Sequence, residues 1–394
     1  MAEAGPVYDA VVVGGGPSGA TAAQTLAREG RTVVLLDRDG RIKPCGGAIP
    51  PRLVRDFDIP EALIVARARG ARIVAPSART VDMPIDGGYV GMVDREHFDE
   101  ALRVRAARNG AERVTGTFDH ITRRGDGTVT VHYRDKVGGT LHAIDTRVVV
   151  GADGARSQVA RQEVPGGGMV KCVFAYHEII DTPDGIDEDR CDVYYQRDLS
   201  PDFYAWIFPH GRTASVGTGS MQKGFPLRQA TAVLRDRAGL AGATTIRCEG
   251  APIPLKPLKR WDNGRDVVLA GDAAGTVAPA SGEGIYYAMV GGQIAAEAAL
   301  AYLETGDARA LAGARKTFMK AHGRVFWILG ILQAFWYTTD RRRERFVSIC
   351  ADPDVQRLTW QSYMNKELVR SDPLAHLRIF LKDSAHLLGL ARVR

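Results

Sequence analysis

Cysteine is scarce in this chain. Its 394 residues include five, Cys45, Cys172, Cys191, Cys248 and Cys350, with no C-x-x-C pair and no Cys/His cluster. That pattern excludes a disulfide framework, indicates no metal site, and leads to the expectation of a reducing, cytoplasmic setting. Lysine is nearly as rare. Of 52 basic residues only ten are Lys, so arginine carries the formal charge of +6. The excess suits anionic partners, but no recognition module accompanies it, so nucleic acid is not an expected partner. No apolar run reaches the ~18–20 residues of a membrane-spanning helix, and Val325–Tyr337 comes nearest. Met1–Tyr8 lacks the basic and apolar regions of a secretory signal. What remains, 45% hydrophobic and 25% charged residues with 44 Gly and 19 Pro, is ordinary globular composition. It excludes collagen-like and disordered chains, and the length suits two or three lobes.

The first forty residues read as β-α-β. Tyr8–Val13 is an apolar run, Ala20–Arg28 an Ala-rich helix ended by Gly30, and Thr32–Leu36 a second apolar run closing on Asp37. Between the first strand and the helix lies Gly14-Gly15-Gly16-Pro17-Ser18-Gly19. In a G-x-G-x-x-G turn the first glycine permits the tight bend, the second lets a pyrophosphate touch backbone, and the third lets helix and strand pack closely. The helix N-terminus adds free N–H groups for phosphate. Asp37, 18 residues after Gly19, stands where a carboxylate binds ribose hydroxyls. Further on, Asp94 reads as the N-cap of a helix over Arg95–Arg108. Strands are expected at Val129–Tyr133, Arg147–Val150 and Asp266–Ala270, and an antiparallel sheet over Val170–Ser220. A long helix is expected near Ile285–Glu304, with largely helical chain beyond Ala308. Gly217-Thr218-Gly219-Ser220 leads into no helix, so no second dinucleotide-binding unit is expected.

Two more segments follow Val-rich strands: Gly151-Ala152-Asp153-Gly154-Ala155-Arg156-Ser157 and Ala270-Gly271-Asp272-Ala273-Ala274. With the glycine turn, in this order and spacing, they resemble the flavin-dependent family that includes para-hydroxybenzoate hydroxylase and the geranylgeranyl reductases. The resemblance implies an α/β fold: a Rossmann-like FAD-binding domain, an inserted antiparallel-sheet substrate domain and a helical C-terminal region. It assigns residues 1–75, 93–164 and 263–307 to FAD binding, 76–92 and 165–262 to the substrate domain, and 308–394 to the helical region. FAD would be held by Gly14, Gly16, Pro17, Ser18, Gly19, Asp37 and Arg38, by the segment of Asp153, and by Gly271 and Asp272 at the ribityl chain. Gly284 and Ile285 would lie beside the isoalloxazine.

Lys43-Pro44-Cys45-Gly46-Gly47-Ala48, Met92-Val93-Asp94-Arg95 and Tyr204-Ala205-Trp206-Ile207-Phe208-Pro209 resemble the geranylgeranyl reductase branch. There Cys45, Gly46 and Ala48 would run beside the flavin, Arg95 would reach FAD, and Tyr204 and Trp206 would line the substrate pocket. Ala48 departs from the C-x-x-G of archaeal lipid reductases. Lys-Pro-Cys-Gly-Gly-Ala-Ile-Pro, with the tail from Asp352 through Tyr363-Met364-Asn365-Lys366 to His376-Leu377-Arg378, is similar to the chlorophyll and bacteriochlorophyll branch. The implied reaction saturates three double bonds of a geranylgeranyl group to give phytyl, on geranylgeranyl-bacteriochlorophyllide or on geranylgeranyl diphosphate. NADPH, visiting transiently, or reduced ferredoxin would be the electron donor. An aromatic hydroxylase of the same fold, or a non-reducing carrier of prenylated pigment, is the alternative.

An isolated alkene accepts hydride poorly, so the chemistry needs a paired proton in a dry pocket of fixed geometry. Cys45, Tyr204 and Trp206 are the candidate catalytic residues. Cys45 reads as a packing residue before a proton donor, and the alternation of Tyr204, Trp206 and Phe208 as pocket or core. His210 reads as a loop histidine. Val325–Tyr337, followed by Arg341, Arg342, Arg343 and Arg345, reads as a peripheral membrane helix with a basic flank or as a buried helix.

Overall fold

A computed structural model of the chain describes residues 5–38, 42–183 and 186–366. Their contacts form two compact units, each assembled from three stretches of sequence. The first falls within Met1–Lys43, Arg95–Cys172 and Pro252–Phe326, the second within Pro44–Asp94, Val173–Ala251 and Trp327–Arg394.

The first unit is built on parallel strands. Val7–Val13 pairs in parallel with Val33–Asp37 on one side and Leu141–Gly151 on the other. Glu112–Thr115 and Val267–Leu269 extend these two edges, also in parallel. Val11, Val12, Val34, Val149, Val150, Val267 and Val268 are fully buried, as strands covered on both faces require. The leading half of Leu141–Gly151 pairs antiparallel with Val129–Arg134, which in turn pairs with Thr117–Arg123. Helix Pro17–Arg28 packs on helix Ile285–Thr305. That contact is close because Gly292 has no side chain: a Cβ there would lie 2.1 Å from the Ser18 carbonyl oxygen.

The second unit holds a seven-stranded sheet in the order Thr245–Pro254, Cys172–Asp181, Thr213–Ser220, Ala205–His210, Arg190–Tyr194, Gly70–Val74, Thr80–Pro84. Arg190–Tyr194 and Gly70–Val74 run parallel, so the sheet is mixed and not purely antiparallel. This pairing moves the expected boundary. Residues 44–75 group with the second unit because Gly70–Val74 is a strand of its sheet. A smaller sheet joins Ala48–Ile49, Val90–Val93 and Ile64–Ala68.

Toward the C-terminus run the helices Gly313–Trp336, Asp340–Ile349 and Pro353–Asn365. Asp352 caps the last, accepting from the N–H groups of Asp354 and Val355. The His376-Leu377-Arg378 part of the expected tail lies outside the described residues. No described helix is long and apolar enough to cross a membrane. One expectation is corrected here. Arg343 does not belong to a basic flank: it is fully buried and donates to the carbonyls of Tyr337 (3.0 and 2.7 Å) and Ser200 (2.6 Å).

Gly292→Val should cost about 1–3 kcal/mol of stability through overpacking, read as a lower urea midpoint. Gly313→Ala, with nothing within 4 Å of the added carbon, should leave the midpoint nearly unchanged.

Candidate functional site

In the first unit the three glycine-bearing segments meet. Gly14 has φ +106°, and a Cβ on it would lie 2.4 Å from the Ala152 carbonyl oxygen and 2.9 Å from Asp153 Cα. The missing side chain therefore lets the Asp153 segment lie on the opening turn. At Gly19 a Cβ would stand 1.8 Å from the Gly14 carbonyl oxygen, and at Gly271 2.7 Å from Ser18 Cβ. Gly16 differs from both. It caps the helix with extended backbone, and nothing lies within 4 Å of where its Cβ would point. Ser18 Oγ is buried and has no hydrogen-bond partner among the described residues.

Charged groups surround this turn. Asp37 lies over Gly15, whose Cβ would meet the carboxylate at 2.5 Å. Arg103 donates to the Gly15 carbonyl at 3.2 Å and stands 3.5 Å from the Asp37 carboxylate. Arg38 follows, exposed. Sequence reasoning missed Arg103, although Arg95, Asp99 and Arg103 recur every four residues and so share one face of their helix. Arg95 forms a buried bidentate pair with Asp99 at 2.8 and 2.7 Å. The Asp153 carboxylate faces its own chain, accepting from Ser157 Oγ and from the N–H groups of Gln158 (2.6 Å) and Val159 (3.2 Å).

Asp272 is buried and paired with Lys43, a partner that sequence reasoning did not assign. Gly284, at the N-terminus of Ile285–Thr305, lies close by: its Cβ would be 3.7 Å from Asp272 Oδ1. The Asp272 charge is also felt at Cys172, whose thiol is pushed up to about 11, by burial first and by Asp272 second. Among the described residues no His/Cys/Asp/Glu group could hold a metal ion.

In the second unit the Cys45 segment crosses the aromatic strand. A Cβ on Gly46 would lie 2.9 Å from the Phe208 ring and 4.0 Å from Trp206 Nε1. His210 holds the segment from the strand's end, its Nε2 donating to the Gly46 carbonyl at 3.0 Å, and Val93 N–H donates to the Gly47 carbonyl at 2.9 Å. Burial keeps the His210 imidazole below its ordinary pKa range. Gly47 N–H donates to Cys45 Sγ at 3.4 Å, and Ala48 enters the small sheet opposite Met92.

Strand alternation separates the aromatic side chains from the core. Ala205 and Ile207 belong to an apolar cluster with Val216, Ala214, Ile180 and Leu234. Trp206 and Phe208 alternate with them on the opposite face of the strand. Their ring centroids are 6.2 Å apart, and Tyr204 stands 6.0 Å from Trp206.

Comparisons with known proteins agree with this geometry. A family model described as Lycopene cyclase protein matches residues 9–172. The chain is 58% identical to a geranylgeranyl diphosphate reductase of Rhodobacter capsulatus, over 97% of this chain and 98% of that protein. The chain belongs to the geranylgeranyl diphosphate reductase family. It is also 38% identical to the protein of that name from Synechocystis, over 97% and 98% of the two chains. Among solved structures, a geranylgeranyl bacteriochlorophyll reductase-like protein from Thermoplasma acidophilum superposes with a TM-score of 0.81 at 22% identity, over 94% of this chain and 99% of that one. That likeness shows that the family fold is present.

Two glycines of the turn should separate by experiment. Gly16→Ala, facing open space, should leave the thermal midpoint within a few degrees of the parent. Gly19→Ala, forced onto the Gly14 carbonyl, should lower it sharply or prevent folding.

Proposed function

We propose that this chain is an FAD-dependent reductase that saturates three double bonds of a geranylgeranyl group to give phytyl. Its substrate in this reading is geranylgeranyl-bacteriochlorophyllide, with geranylgeranyl diphosphate as a second. The observation that carries it is the open backbone at Gly16, framed by segments that are otherwise in van der Waals contact, in a chain 58% identical to a protein named for this reduction.

The residues present fit FAD. Gly14, Gly16, Pro17, Ser18 and Gly19 offer a turn, a helix N-terminus and an unpartnered hydroxyl to the pyrophosphate. Asp37 suits the ribose hydroxyls, with Arg103 holding that carboxylate in place. Asp272 suits the ribityl hydroxyls, and Gly284 and Ile285 bring a helix N-terminus beside it. Asp153 supports the turn by packing on Gly14, and Arg95, also assigned to FAD in this reading, is held by its pair with Asp99. When bound and reduced, FAD supplies the hydride for the alkene.

Two further roles in this reading fall to residues of the second unit. Tyr204, Trp206 and Phe208 present a row of rings suited to a prenyl chain, and they exclude water from it. Cys45, proposed as the proton donor, accepts a hydrogen bond from the Gly47 N–H. Gly217-Thr218-Gly219 lies within a strand and opens no helix, which supports an electron donor that visits transiently, NADPH or reduced ferredoxin. Purified protein should show flavin absorbance and convert the geranylgeranyl pigment to the phytyl form by mass spectrometry. Gly16→Val should abolish flavin retention. Asp272→Ala should weaken it about 10- to 150-fold, the worth of ~1.5–3 kcal/mol for hydrogen bonds to a charged acceptor. Full flavin content in both folded variants, or an unreduced tail in the parent, would refute the reading.

Contact with a membrane surface is part of the proposal. Trp327 is 67% and Ile331 47% exposed, four residues apart on one face of Gly313–Trp336. Arg341 and Arg345 stand beyond its end, and each basic residue near an anionic bilayer contributes ~1 kcal/mol. Trp327→Ser with Ile331→Ser should weaken pelleting with phosphatidylglycerol liposomes, and Arg341→Gln with Arg345→Gln should make the remainder insensitive to salt. Pelleting unchanged in both pairs would remove this contact.

A further inference from the structure

Gly217 is the centre of a row that crosses three neighbouring strands. His177 of Cys172–Asp181 stands opposite it on one side, and Trp206 of Ala205–His210 on the other. Residues paired in register present their side chains to the same face, so imidazole and indole both lean over Gly217. A Cβ there would lie 2.5 Å from His177 Cβ and 2.5 Å from Trp206 Cζ2. The two ring centroids are 6.4 Å apart.

Ser215, two residues along on the same face, joins the rings. Trp206 Nε1–H donates to Ser215 Oγ at 3.1 Å, and that oxygen lies 2.9 Å from His177 Nδ1. His177 Nε2 lies 3.4 Å from the Glu249 carboxylate, which pairs with Arg247. Trp206 is 6%, Ser215 0% and His177 4% exposed.

The donor-only end sets the direction of this chain. An indole nitrogen can only donate, so Ser215 Oγ accepts from it and turns its own hydrogen to His177 Nδ1. His177 then carries its hydrogen on Nε2 and donates it to Glu249. Every polar atom from Trp206 to the carboxylate has its partner, and a buried network satisfied throughout fixes one arrangement.

We propose that Ser215, His177 and Glu249 are positioning residues that lock the plane of the Trp206 indole. The locked indole is the middle of the ring row Tyr204, Trp206, Phe208 and lets one prenyl chain occupy successive registers for its several reductions. This rests on the reductase reading above. Three double bonds in one chain must each reach one reacting position, so the chain slides along its wall between reductions. An indole free to rotate would obstruct some registers and not others, whereas a fixed one leaves the wall the same for each.

The test uses the full chain labelled with fluorotryptophan, the Trp206 fluorine resonance being assigned with Trp206→Phe. Ser215→Ala should shift and broaden that resonance in substrate-free protein. Ser215→Thr, which keeps the hydroxyl, should restore it, and Glu249→Ala, at the distal end, should move it less. In turnover, Ser215→Ala should raise the ratio of partly to fully reduced product about 3- to 10-fold, the scale of one neutral hydrogen bond. An unmoved resonance in Ser215→Ala overturns the lock. A moved resonance with an unchanged product ratio overturns its link to chain register. A parent protein that reduces no prenyl chain refutes the reductase reading instead, and the resonance still decides the lock.

Discussion

Backbone contact at Ser18 is the constraint on which the first unit depends. Gly292 of the long helix lies where a Cβ would be 2.1 Å from the Ser18 carbonyl oxygen, and Gly271 where one would be 2.7 Å from Ser18 Cβ. Gly19, the next residue, allows the helix to sit on the Gly14 carbonyl. Two distant stretches of sequence and the turn itself thus converge on two residues of the opening helix. Each contact fails if a methyl group is added: at Gly292 and Gly19 the obstacle is backbone, which cannot move aside, and at Gly271 it is Ser18 Cβ. The same convergence leaves Gly16 facing outward. Nothing lies within 4 Å of where its Cβ would point, so the helix N-terminus is left open there.

In the second unit the governing constraint is the two-residue period of one strand. Ala205 and Ile207 enter the apolar cluster, which obliges Trp206 and Phe208 to face the other way. The aromatic face is then furnished with partners that an apolar core would not tolerate, since Ser215 and His177 lie on it and are buried. The Cys45 segment adds glycine at the two positions, Gly46 and Gly47, where side chains would strike Phe208 and the Val93 carbonyl.

Much of this was legible in the sequence, for physical reasons that can be named. The β-α-β opening is local: strand, turn, helix and strand lie within about thirty residues, and each glycine has a separate steric duty. The helix Arg95–Arg108 and the start of Ile285–Thr305 were legible from an N-cap and a Gly/Ala-rich run. The Gly70–Val74 strand was not, because what makes it part of the second unit is pairing with Arg190–Tyr194, more than a hundred residues away. Arg343 was misleading for a related reason. Within Arg341-Arg342-Arg343 it reads as one more surface charge, and only the carbonyls of Tyr337 and Ser200 show that it is a buried donor. Arg103 was legible in principle, since its four-residue spacing from Asp99 is a helical face, but its acceptor Gly15 is 88 residues distant. The glycines at Gly217 and Gly219 resemble a phosphate turn in sequence, whereas in the fold they make room inside a sheet.

The polarity of that sheet face also limits what Trp206 can do. A proton leaving through a hydrogen-bond chain needs a terminal group that both accepts and donates, and an indole N–H only donates. The chain from Glu249 through His177 and Ser215 therefore ends at the Trp206 indole. Cys45 is under the opposite condition. Its sulfur receives an N–H from Gly47, and its segment is fixed by His210 and Val93, so the thiol hydrogen is not spent on holding the loop. A group held in place by bonds that it accepts keeps its own hydrogen for another partner.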